Sequence, residues 1–198
     1  GESKTKGCAQ GVKAWRGVMM EKKQIRAMMR LREDSFMESG VAEDESRRII
    51  SALESHPVFS NARCVLAYMS IRGEVDTWDF LERWSETKDM IIPRVAGDSL
   101  ELCRYDKERL VPGYKGILEP SDDAELVEAS EVGLALVPGI AFAPDGQGRF
   151  YRMGRGKGFY DRLLPILNCP IAAVSFPFRE MDSIPVDAWD RKVDYLFK

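Results

Sequence analysis

The sequence contains almost no histidine. A single histidine, His56, occurs among the 198 residues, and its place before Pro57 at the end of a helical pattern indicates a solvated or helix-capping side chain. Zinc sites rich in histidine are therefore excluded, and Ser-His-Asp or Cys-His catalysis is disfavoured. A metal bound by this chain is expected to be a hard cation held by carboxylates, namely Mg²⁺.

Cysteine is also scarce, and the four residues lie far apart at Cys8, Cys64, Cys103 and Cys169. This spacing fits neither a C-x-x-C metal site nor a compact disulfide framework. Cys64 and Cys103 lie in apolar runs, which predicts that they are small buried hydrophobic residues. Free thiols are the rule in reducing compartments, so we expect a cytoplasmic protein.

Long apolar runs and a large net charge are absent as well. No stretch of about 18 or more apolar residues occurs, so we expect no membrane span and no membrane partner. The 29 basic and 32 acidic residues give a net charge of −3, which argues against a generally basic nucleic-acid-binding protein. A small anionic molecule is the expected ligand, and a monomer is the expected state.

The first residues differ from the rest of the chain. Residues 1–18 are polar, contain glycine and lack the continuous apolar segment of a signal peptide. We expect residues 1–19 to be a disordered extension, either added to the natural chain or lying upstream of a start at Met19 or Met20. With 44% hydrophobic residues in the chain, residues 20–198 are predicted to form a single α/β domain with one good-sized core.

Apolar runs and amphipathic patterns alternate along residues 20–198. Three- and four-residue spacing of apolar side chains predicts helices over 21–34, 42–54, 76–88 and 159–167. Short, mostly apolar runs predict strands over 64–70, 90–95, 100–105, 132–137, 171–176 and 193–197. Strands that are apolar on both faces alternate here with helices. The sequence therefore predicts an α/β fold with a mostly parallel, Rossmann-like central sheet covered by helices on both faces.

The most informative segment is Arg152–Asp161, named here the glycine–cation run. Its sequence, RMGRGKGFYD, interleaves three cations with three glycines and ends in two aromatic residues and a carboxylate. Glycine lets backbone N–H groups approach an anion, the cations neutralise several phosphate oxygens together, and Asp161 is well placed to hold the Mg²⁺ of a nucleotide. The segment therefore predicts a polyphosphate site. A solvated hairpin turn is the alternative, because the spacing matches neither the dinucleotide-binding nor the P-loop fingerprint.

Other candidate residues follow the ends of predicted strands. Glu74 comes shortly after the 64–70 strand, the glycine–cation run follows the 132–137 strand, and Asp190 follows the 171–176 strand. In open α/β sheets, ligands bind beyond the carboxyl ends of the strands. This arrangement favours a ligand site over a solvated turn.

Several short motifs occur in a fixed order along the chain. They are Lys22–Arg26, Tyr68–Ser70 followed by Glu74–Thr77, Ile92–Arg94, Glu119-Pro120, Val137–Phe142, the glycine–cation run, and Asp190 ahead of Val193-Asp194. Through this ordered set the chain resembles the 5-formyltetrahydrofolate cyclo-ligase family, also called 5,10-methenyltetrahydrofolate synthetases, over about residues 20–197. The resemblance implies that the formyl oxygen of 5-formyltetrahydrofolate takes the γ-phosphoryl group of ATP. Attack by N10 on the activated carbon would then give 5,10-methenyltetrahydrofolate, ADP and phosphate.

The same resemblance implies roles for individual residues. The implied ATP-binding residues lie on the first helix and in the run: Lys22, Lys23, Gln24, Ile25, Arg26, Arg152, Met153, Gly154, Arg155, Gly156, Lys157, Gly158, Phe159 and Tyr160. The implied folate-binding residues are Met69, Glu74, Arg155, Gly156, Lys157, Gly158 and Phe159. The implied catalytic residues are the three cations Arg152, Arg155 and Lys157, which would neutralise charge during phosphoryl transfer. Asp161 and Asp190 match the positions associated with Mg²⁺, and the Glu74 carboxylate suits the adjacent N–H donors of a pterin edge.

Three features depart from the family pattern. Trp189 stands where many members have histidine, so any role of that histidine is lost. Phe159 replaces a usual tyrosine, which removes a hydroxyl but keeps a ring for stacking. The loop 145–151 is a few residues longer than usual. None of these departures removes a cation or a carboxylate of the implied site.

On the residues alone, plainer explanations stay open. The basic segment Lys22–Arg26 fits a solvated helix face, Glu74 fits an ordinary loop acid, and the two aspartates Asp161 and Asp190 fit helix ends or turns. Two other functions also stay open. One is a family-like ATP-binding protein that acts on another formylated or carboxylate substrate. The other is an RNA-binding module, for which the residues 157–160 are a faint match.

Overall fold

A six-stranded sheet forms the centre of the protein. The structure, a computed structural model, describes residues 20–188 and 190–198, so the predicted extension 1–19 and Trp189 lie outside the described residues. In spatial order the strands are β10 (Tyr195–Phe197), β9 (Ile171–Val174), β6 (Leu134–Leu136), β1 (Cys64–Leu66), β2 (Asp89–Ala96) and β3 (Ser99–Arg104). Strand β3 pairs antiparallel with β2, and the other four pairings are parallel. The predicted mostly parallel sheet is confirmed.

Burial on both faces explains why these short strands are almost wholly apolar. Every residue of β6 (LAL) and β9 (IAAV) is buried. Successive side chains of a strand point to opposite faces, so Val65 joins the core on one face of the sheet and Leu66 joins the core on the other. Parallel strands need this double cover because each crossover lays a helix on a face of the sheet.

Helices cover both faces, as predicted. One face is covered by α2 (Ala42–Glu54), α3 (Pro57–Ser60) and α4 (Trp78–Trp84), which bury Ile49, Leu53, Phe59 and Phe80 against it. The other face is covered by α5 (Phe159–Leu163) and the 3₁₀ turn Leu164–Ile166. Among the described residues, no helix combines the length and the apolarity that crossing a membrane requires.

Two small hairpins outside the central sheet were not predicted. One pairs β4 (Leu110–Pro112) with β5 (Leu118–Pro120), and the other pairs β7 (Ala141–Pro144) with β8 (Phe150–Met153). Helix α1 (Lys22–Glu38) packs on the second hairpin through Ile25 and Met29. This packing places α1 beside the glycine–cation run, which leaves the end of β8.

The structure corrects several predicted boundaries. The strand predicted at 64–70 ends at Leu66, the helix predicted at 159–167 ends at Leu163, and the helix predicted at 76–88 spans only Trp78–Trp84. Cys64 is only half-buried, whereas Cys103 is buried as expected. His56 has the predicted capping role, since its Nδ1 accepts a hydrogen bond of 3.1 Å from the Val58 N–H at the start of α3.

Candidate functional site

A cavity of about 540 Å³ opens beyond the carboxyl ends of β1, β2 and β6. The glycine–cation run from Gly154 to Asp161 forms one wall, and the segment after β1 forms the facing wall. The apolar residues between these walls are Pro93, Val95, Leu100, Ile117 and Leu118. The cavity therefore combines a cationic, glycine-rich side with a broad apolar surface at the edge of the sheet where ligands of such folds bind.

Most of the predicted site residues meet in this cavity. The predicted residues that line it are Met69, Glu74, Arg152, Gly154, Arg155, Gly156, Lys157, Gly158, Phe159, Tyr160 and Asp161. The predicted residues outside its lining are Lys22, Lys23, Gln24, Ile25, Arg26, Met153 and Asp190. Ile25 and Met153 are buried together in the core between α1 and the β7–β8 hairpin, so their side chains face away from a ligand.

Arg152 lies in β8, one residue before the strand ends. Its Nη1 donates to the Pro138 carbonyl at 3.0 Å, and its Nη2 donates to Asp161 Oδ1 at 2.7 Å. Burial lowers the pKa of Arg152, while the charge of Asp161 favours its protonated form. Among the described residues, its Nε is the one buried side-chain polar atom without a hydrogen-bond partner. A buried donor without a partner is costly, so the surrounding protein does not fully satisfy this guanidinium.

An ion pair joins the two facing walls. Arg155 Nη2 lies 2.9 Å from Glu74 Oε1 across the cavity, and the side chain of Glu74 is only 9% exposed. The other oxygen, Glu74 Oε2, accepts a hydrogen bond of 3.1 Å from the Ile71 N–H of its own loop. Both carboxylate oxygens of Glu74 are therefore engaged, one of them by a cation that a ligand would have to displace.

The segment before Glu74 adds a buried phenol and a thioether to this wall. Tyr68 and Met69 are 4% and 6% exposed and both line the cavity. Burial raises the pKa of Tyr68 well above its usual value, and the neighbouring Glu74 adds to the increase. Tyr68 therefore stays protonated at neutral pH and offers a hydrogen-bond donor to the cavity.

Glu119 fastens the β4–β5 hairpin over the cavity. This buried carboxylate accepts hydrogen bonds from the Tyr114 N–H at 3.1 Å and the Val95 N–H at 3.4 Å. The Tyr114 ring consequently lies edge-on to Phe159, with ring centroids 5.9 Å apart and an interplanar angle of 85°. The two rings contact each other, and both line the cavity, where they provide apolar surface for a flat ligand ring.

The start of α1 adjoins the glycine–cation run from outside the cavity. Arg26 Nε donates to the Gly154 carbonyl at 3.2 Å. Gln24 has a structural role, because its Oε1 accepts from the Glu21 N–H at 2.8 Å and caps the helix. Lys22 Nζ lies 2.8 Å from Asp187, and Lys23 is exposed. The basic end of α1 thus reaches the run through Arg26 and the loop before β10 through Lys22.

The two predicted metal ligands belong to neighbouring segments. Asp161 lies in the first turn of α5 and is 55% exposed, with one oxygen paired to Arg152. Asp190 accepts from the Asp187 N–H at 2.8 Å, and its charge favours the protonated form of Arg152. Among the described residues, no cluster of three or more acidic, histidine or cysteine side chains could hold a metal ion alone. Mg²⁺ commonly uses only one or two carboxylates when phosphate oxygens complete its coordination, so this pair fits a nucleotide-bound ion.

Besides the apolar lining, sequence reasoning missed four polar residues of the cavity wall. Tyr68 and Glu119 belong to motifs that carried the family resemblance, but no role was predicted for either. Tyr114 and Lys115 lie in a polar, irregular segment that gave no signal for a site. Only the fold shows that the β4–β5 hairpin brings this segment to the cavity.

Comparisons with known proteins identify one family. The model of the 5-formyltetrahydrofolate cyclo-ligase family matches residues 18–197. The 5-formyltetrahydrofolate cyclo-ligase of Escherichia coli (strain K12) is 27% identical over 158 residues, which cover 75% of this chain and 84% of that protein. The corresponding Mus musculus protein is 28% identical over 158 residues, covering 71% of this chain and 75% of its own.

Solved structures give the same result. The NMR structure of Aquifex aeolicus 5,10-methenyltetrahydrofolate synthetase is 34% identical, with a TM-score of 0.78 over 90% of this chain and 89% of its own. The Mycoplasma pneumoniae 5,10-methenyltetrahydrofolate synthetase, 20% identical with a TM-score of 0.66, shares the fold. The family resemblance predicted from the ordered motifs is thus confirmed, and this chain belongs to the 5-formyltetrahydrofolate cyclo-ligase family.

Proposed function

We propose that this protein is an enzyme that converts 5-formyltetrahydrofolate into 5,10-methenyltetrahydrofolate at the expense of ATP and with Mg²⁺. The observation that carries the proposal is the cavity between the glycine–cation run and Glu74, which face each other at a distance that Arg155 spans. The glycine–cation run, which is suited to phosphates, and Glu74, which is suited to the pterin ring, therefore line the same cavity. Membership of the family supports the same conclusion.

The proposed reaction has two steps. First, the formyl oxygen attacks the γ-phosphorus of ATP, and the bond from that phosphorus to the bridging oxygen breaks, so that ADP leaves. The folate then carries a phosphorylated formyl oxygen. In the second step, N10 attacks the activated formyl carbon, the carbon–oxygen bond breaks, and phosphate leaves. N10 loses its proton, and the five-membered ring of the methenyl product is closed.

The cationic wall would serve the phosphates. Phosphoryl transfer depends mainly on positioning and on neutralisation of charge, because the protein forms no covalent bond to the transferred group. Lys157 is exposed to the cavity, and Arg155 becomes available to an anion once its bond to Glu74 is released. Arg152 lies behind them with its unpaired Nε. These three side chains, with the backbone N–H groups of the glycine-rich segment, are the proposed catalytic set.

The facing wall and the apolar surface would serve the folate. Glu74 is proposed to accept the adjacent N–H donors of the pterin edge, with Met69 beside it and the Phe159 ring available for stacking. The pterin can use both Glu74 oxygens only after Arg155 withdraws from Oε1. Folate binding would therefore free the Arg155 guanidinium for the phosphates.

Mg²⁺ would be held by Asp161 and Asp190 together with ATP oxygens, and it would supply charge neutralisation for the triphosphate. The remaining ATP contacts are proposed for the basic start of α1, where Arg26 already adjoins the run. We further propose a monomer in the cytoplasm, with which the three free thiols Cys64, Cys103 and Cys169 are compatible.

The proposal is tested by mixing the protein with 5-formyltetrahydrofolate and Mg-ATP and following the absorbance band of the methenyl product. A rise that requires both ATP and enzyme is the expected result. No ATP-dependent signal at saturating substrates would contradict the proposal. ATP hydrolysis that instead depends on a different formylated or carboxylate compound would identify the alternative substrate.

A further inference from the structure

Arg179 is a buried arginine that the proposed chemistry does not use. It lies in the 3₁₀ turn Pro177–Arg179 after β9, and only 2% of the residue is exposed. Its Nη2 donates to the Gly73 carbonyl at 2.6 Å and to Glu33 Oε2 at 2.7 Å, and its Nη1 donates to the Ile140 carbonyl at 3.2 Å. One guanidinium thus joins two segments that border the cavity, the loop before Glu74 and the segment after β6, to helix α1.

Two further contacts hold this guanidinium in one place. It lies over the Phe178 ring, 4.8 Å from the ring centroid, and that ring packs on Phe36 of α1 at a centroid distance of 5.1 Å. The planar fork of arginine can bond three acceptors in one plane while its face rests on a ring. Lysine could not reproduce this geometry, because its ammonium is a point charge without a flat face.

The Gly73 carbonyl is the contact with a functional consequence. Gly73 immediately precedes Glu74 and has φ of +83°, and a Cβ there would lie only 2.1 Å from the Glu33 carboxyl carbon. Glycine therefore permits Glu33 and Arg179 to close on the backbone at this point. The Glu33–Arg179 pair therefore holds the backbone carbonyl that directly precedes Glu74.

We infer that Arg179, held by Glu33, is a positioning residue that aims Glu74 at the folate. The inference rests on the proposed function, because it assigns Glu74 to the substrate. Its effect should be specific, because Arg179 bonds the carbonyl directly before Glu74, whereas α1 contacts the glycine–cation run through a different side chain, Arg26. Loss of Arg179 should weaken folate recognition and leave nucleotide recognition nearly intact.

The kinetic test compares Arg179→Met with Arg179→Lys and with a control, Arg72→Gln. Arg72 is on the same loop and near the same Glu33 at 3.9 Å, but its side chain is 59% exposed. Arg179→Met should raise KM for 5-formyltetrahydrofolate about tenfold or more while KM for ATP changes less than about twofold. Arg179→Lys should show an intermediate KM, and Arg72→Gln should match the parent. A fall in kcat alone, with both KM values unchanged, would overturn the inference.

A double-mutant cycle with Glu74→Gln tests whether Arg179 acts through Glu74. Once Glu74 is altered, Arg179→Met should raise the folate KM by less than about twofold further, because residues that act through one another are not additive. Full additivity would overturn the inference. If Arg179→Met fails to fold, Glu33→Gln removes the partner charge with little change of shape and carries the same comparison.

A measurement without any ligand separates this inference from the proposed function. Hydrogen exchange of the free protein should show amides of residues 70–76 exchanging about tenfold faster in Arg179→Lys or Glu33→Gln, with residues 152–161 unchanged. Unchanged exchange at 70–76 would overturn the positioning role even if the enzyme is active. If residues 70–76 exchange faster in these variants but the protein has no cyclo-ligase activity, the positioning role stands and only the proposed substrate is contradicted.

Discussion

Cations lie at both ends of the central sheet, but they are paired with carboxylates to different extents. At the amino ends of β1 and β2, Arg104 pairs with Asp89 at 2.6 Å and with Glu125 at 2.9 Å, and Arg63 lies 3.4 Å from Asp89. The hollow there measures about 270 Å³, and its lining includes a single glycine, Gly133.

At the carboxyl ends of the strands, the cations have fewer carboxylate partners. Among the described residues, Arg152 keeps a buried donor without a partner, and Lys157 is exposed and makes no ion pair. Arg155 is paired only with Glu74, the carboxylate that we propose binds the folate. Glycines alternate with these cations, which opens the backbone to a ligand. A cluster of cations therefore indicates a site when some of its donors are unused, and a structural network when its charges are fully paired.

The largest expected effect comes from Lys157→Ala. We propose that this charge stabilises the transferred phosphoryl group, so its removal should lower kcat about 10²- to 10³-fold, measured from the methenyl absorbance. Thermal unfolding should be nearly unchanged, because the side chain is exposed and outside the core. The matched change at the other end, Arg63→Ala, removes a cation that is 91% exposed and should leave kcat unaltered. Equal losses in both variants would remove the distinction between the two ends.

Arg152→Met should affect both stability and turnover. The change removes hydrogen bonds to Pro138 and Asp161 and should lower the free energy of unfolding by about 1–3 kcal/mol. Arg104→Met, which breaks exposed ion pairs, should cost about 0–1 kcal/mol. Urea denaturation followed by circular dichroism measures both values. A larger loss of free energy of unfolding for Arg104→Met than for Arg152→Met would show that the ion pairs at the amino ends of the strands contribute more to stability.

Gly156→Ala tests the backbone of the glycine–cation run. Gly156 has φ of +99°, and an added Cβ would lie 3.3 Å from the Arg26 guanidinium carbon. The strain should lower the free energy of unfolding by roughly 1–2 kcal/mol and raise KM for ATP. The control, Gly133→Ala, lacks a positive φ, and its nearest contact would be 3.4 Å. We expect a melting temperature close to that of the parent for the control, as measured by calorimetry.

The smallest expected effect concerns the thiol of Cys169 at the amino end of β9. Burial raises the pKa of Cys169 to about 11. The neutral thiol is thus favoured in the folded state, and this contribution to stability is complete below about pH 8.5 and is lost as the pH rises towards 11. At pH 8, alkylation of Cys169 should be about a hundredfold slower than in urea-unfolded protein. Peptide mapping by mass spectrometry measures the rates, and comparable rates would contradict the shift.

Some features were predictable because a local pattern decides them. The runs LAL in β6 and IAAV in β9 are apolar at every position, and only a sheet covered on both faces buries such strands. The glycine–cation run was recognisable because it follows a buried strand and occurs in order with the other family motifs. The boundaries were less predictable, because the chain leaves β1 at Leu66 to form the cavity wall while its sequence stays apolar.

Other features depend on contacts between distant segments. Strand β8, which carries Arg152, was not predicted, because its four residues are too few to show a strand pattern. The Glu33–Arg179 pair joins residues 146 positions apart, and neither residue has a local signal. The role of Glu119 depends on the β4–β5 hairpin, whose sequence is polar and irregular. A single sequence does not specify such pairings.

The central claim is that one cavity holds ATP on the glycine–cation run and the folate on Glu74. Calorimetric titration of a non-hydrolysable Mg-ATP analogue and of 5-formyltetrahydrofolate into the parent, Lys157→Ala and Glu74→Gln tests it most directly. Lys157→Ala should weaken binding of the analogue about tenfold or more and leave folate binding within about twofold, and Glu74→Gln should do the reverse. If folded variants lose both ligands equally, or lose neither, the division of the cavity into a nucleotide wall and a folate wall is contradicted.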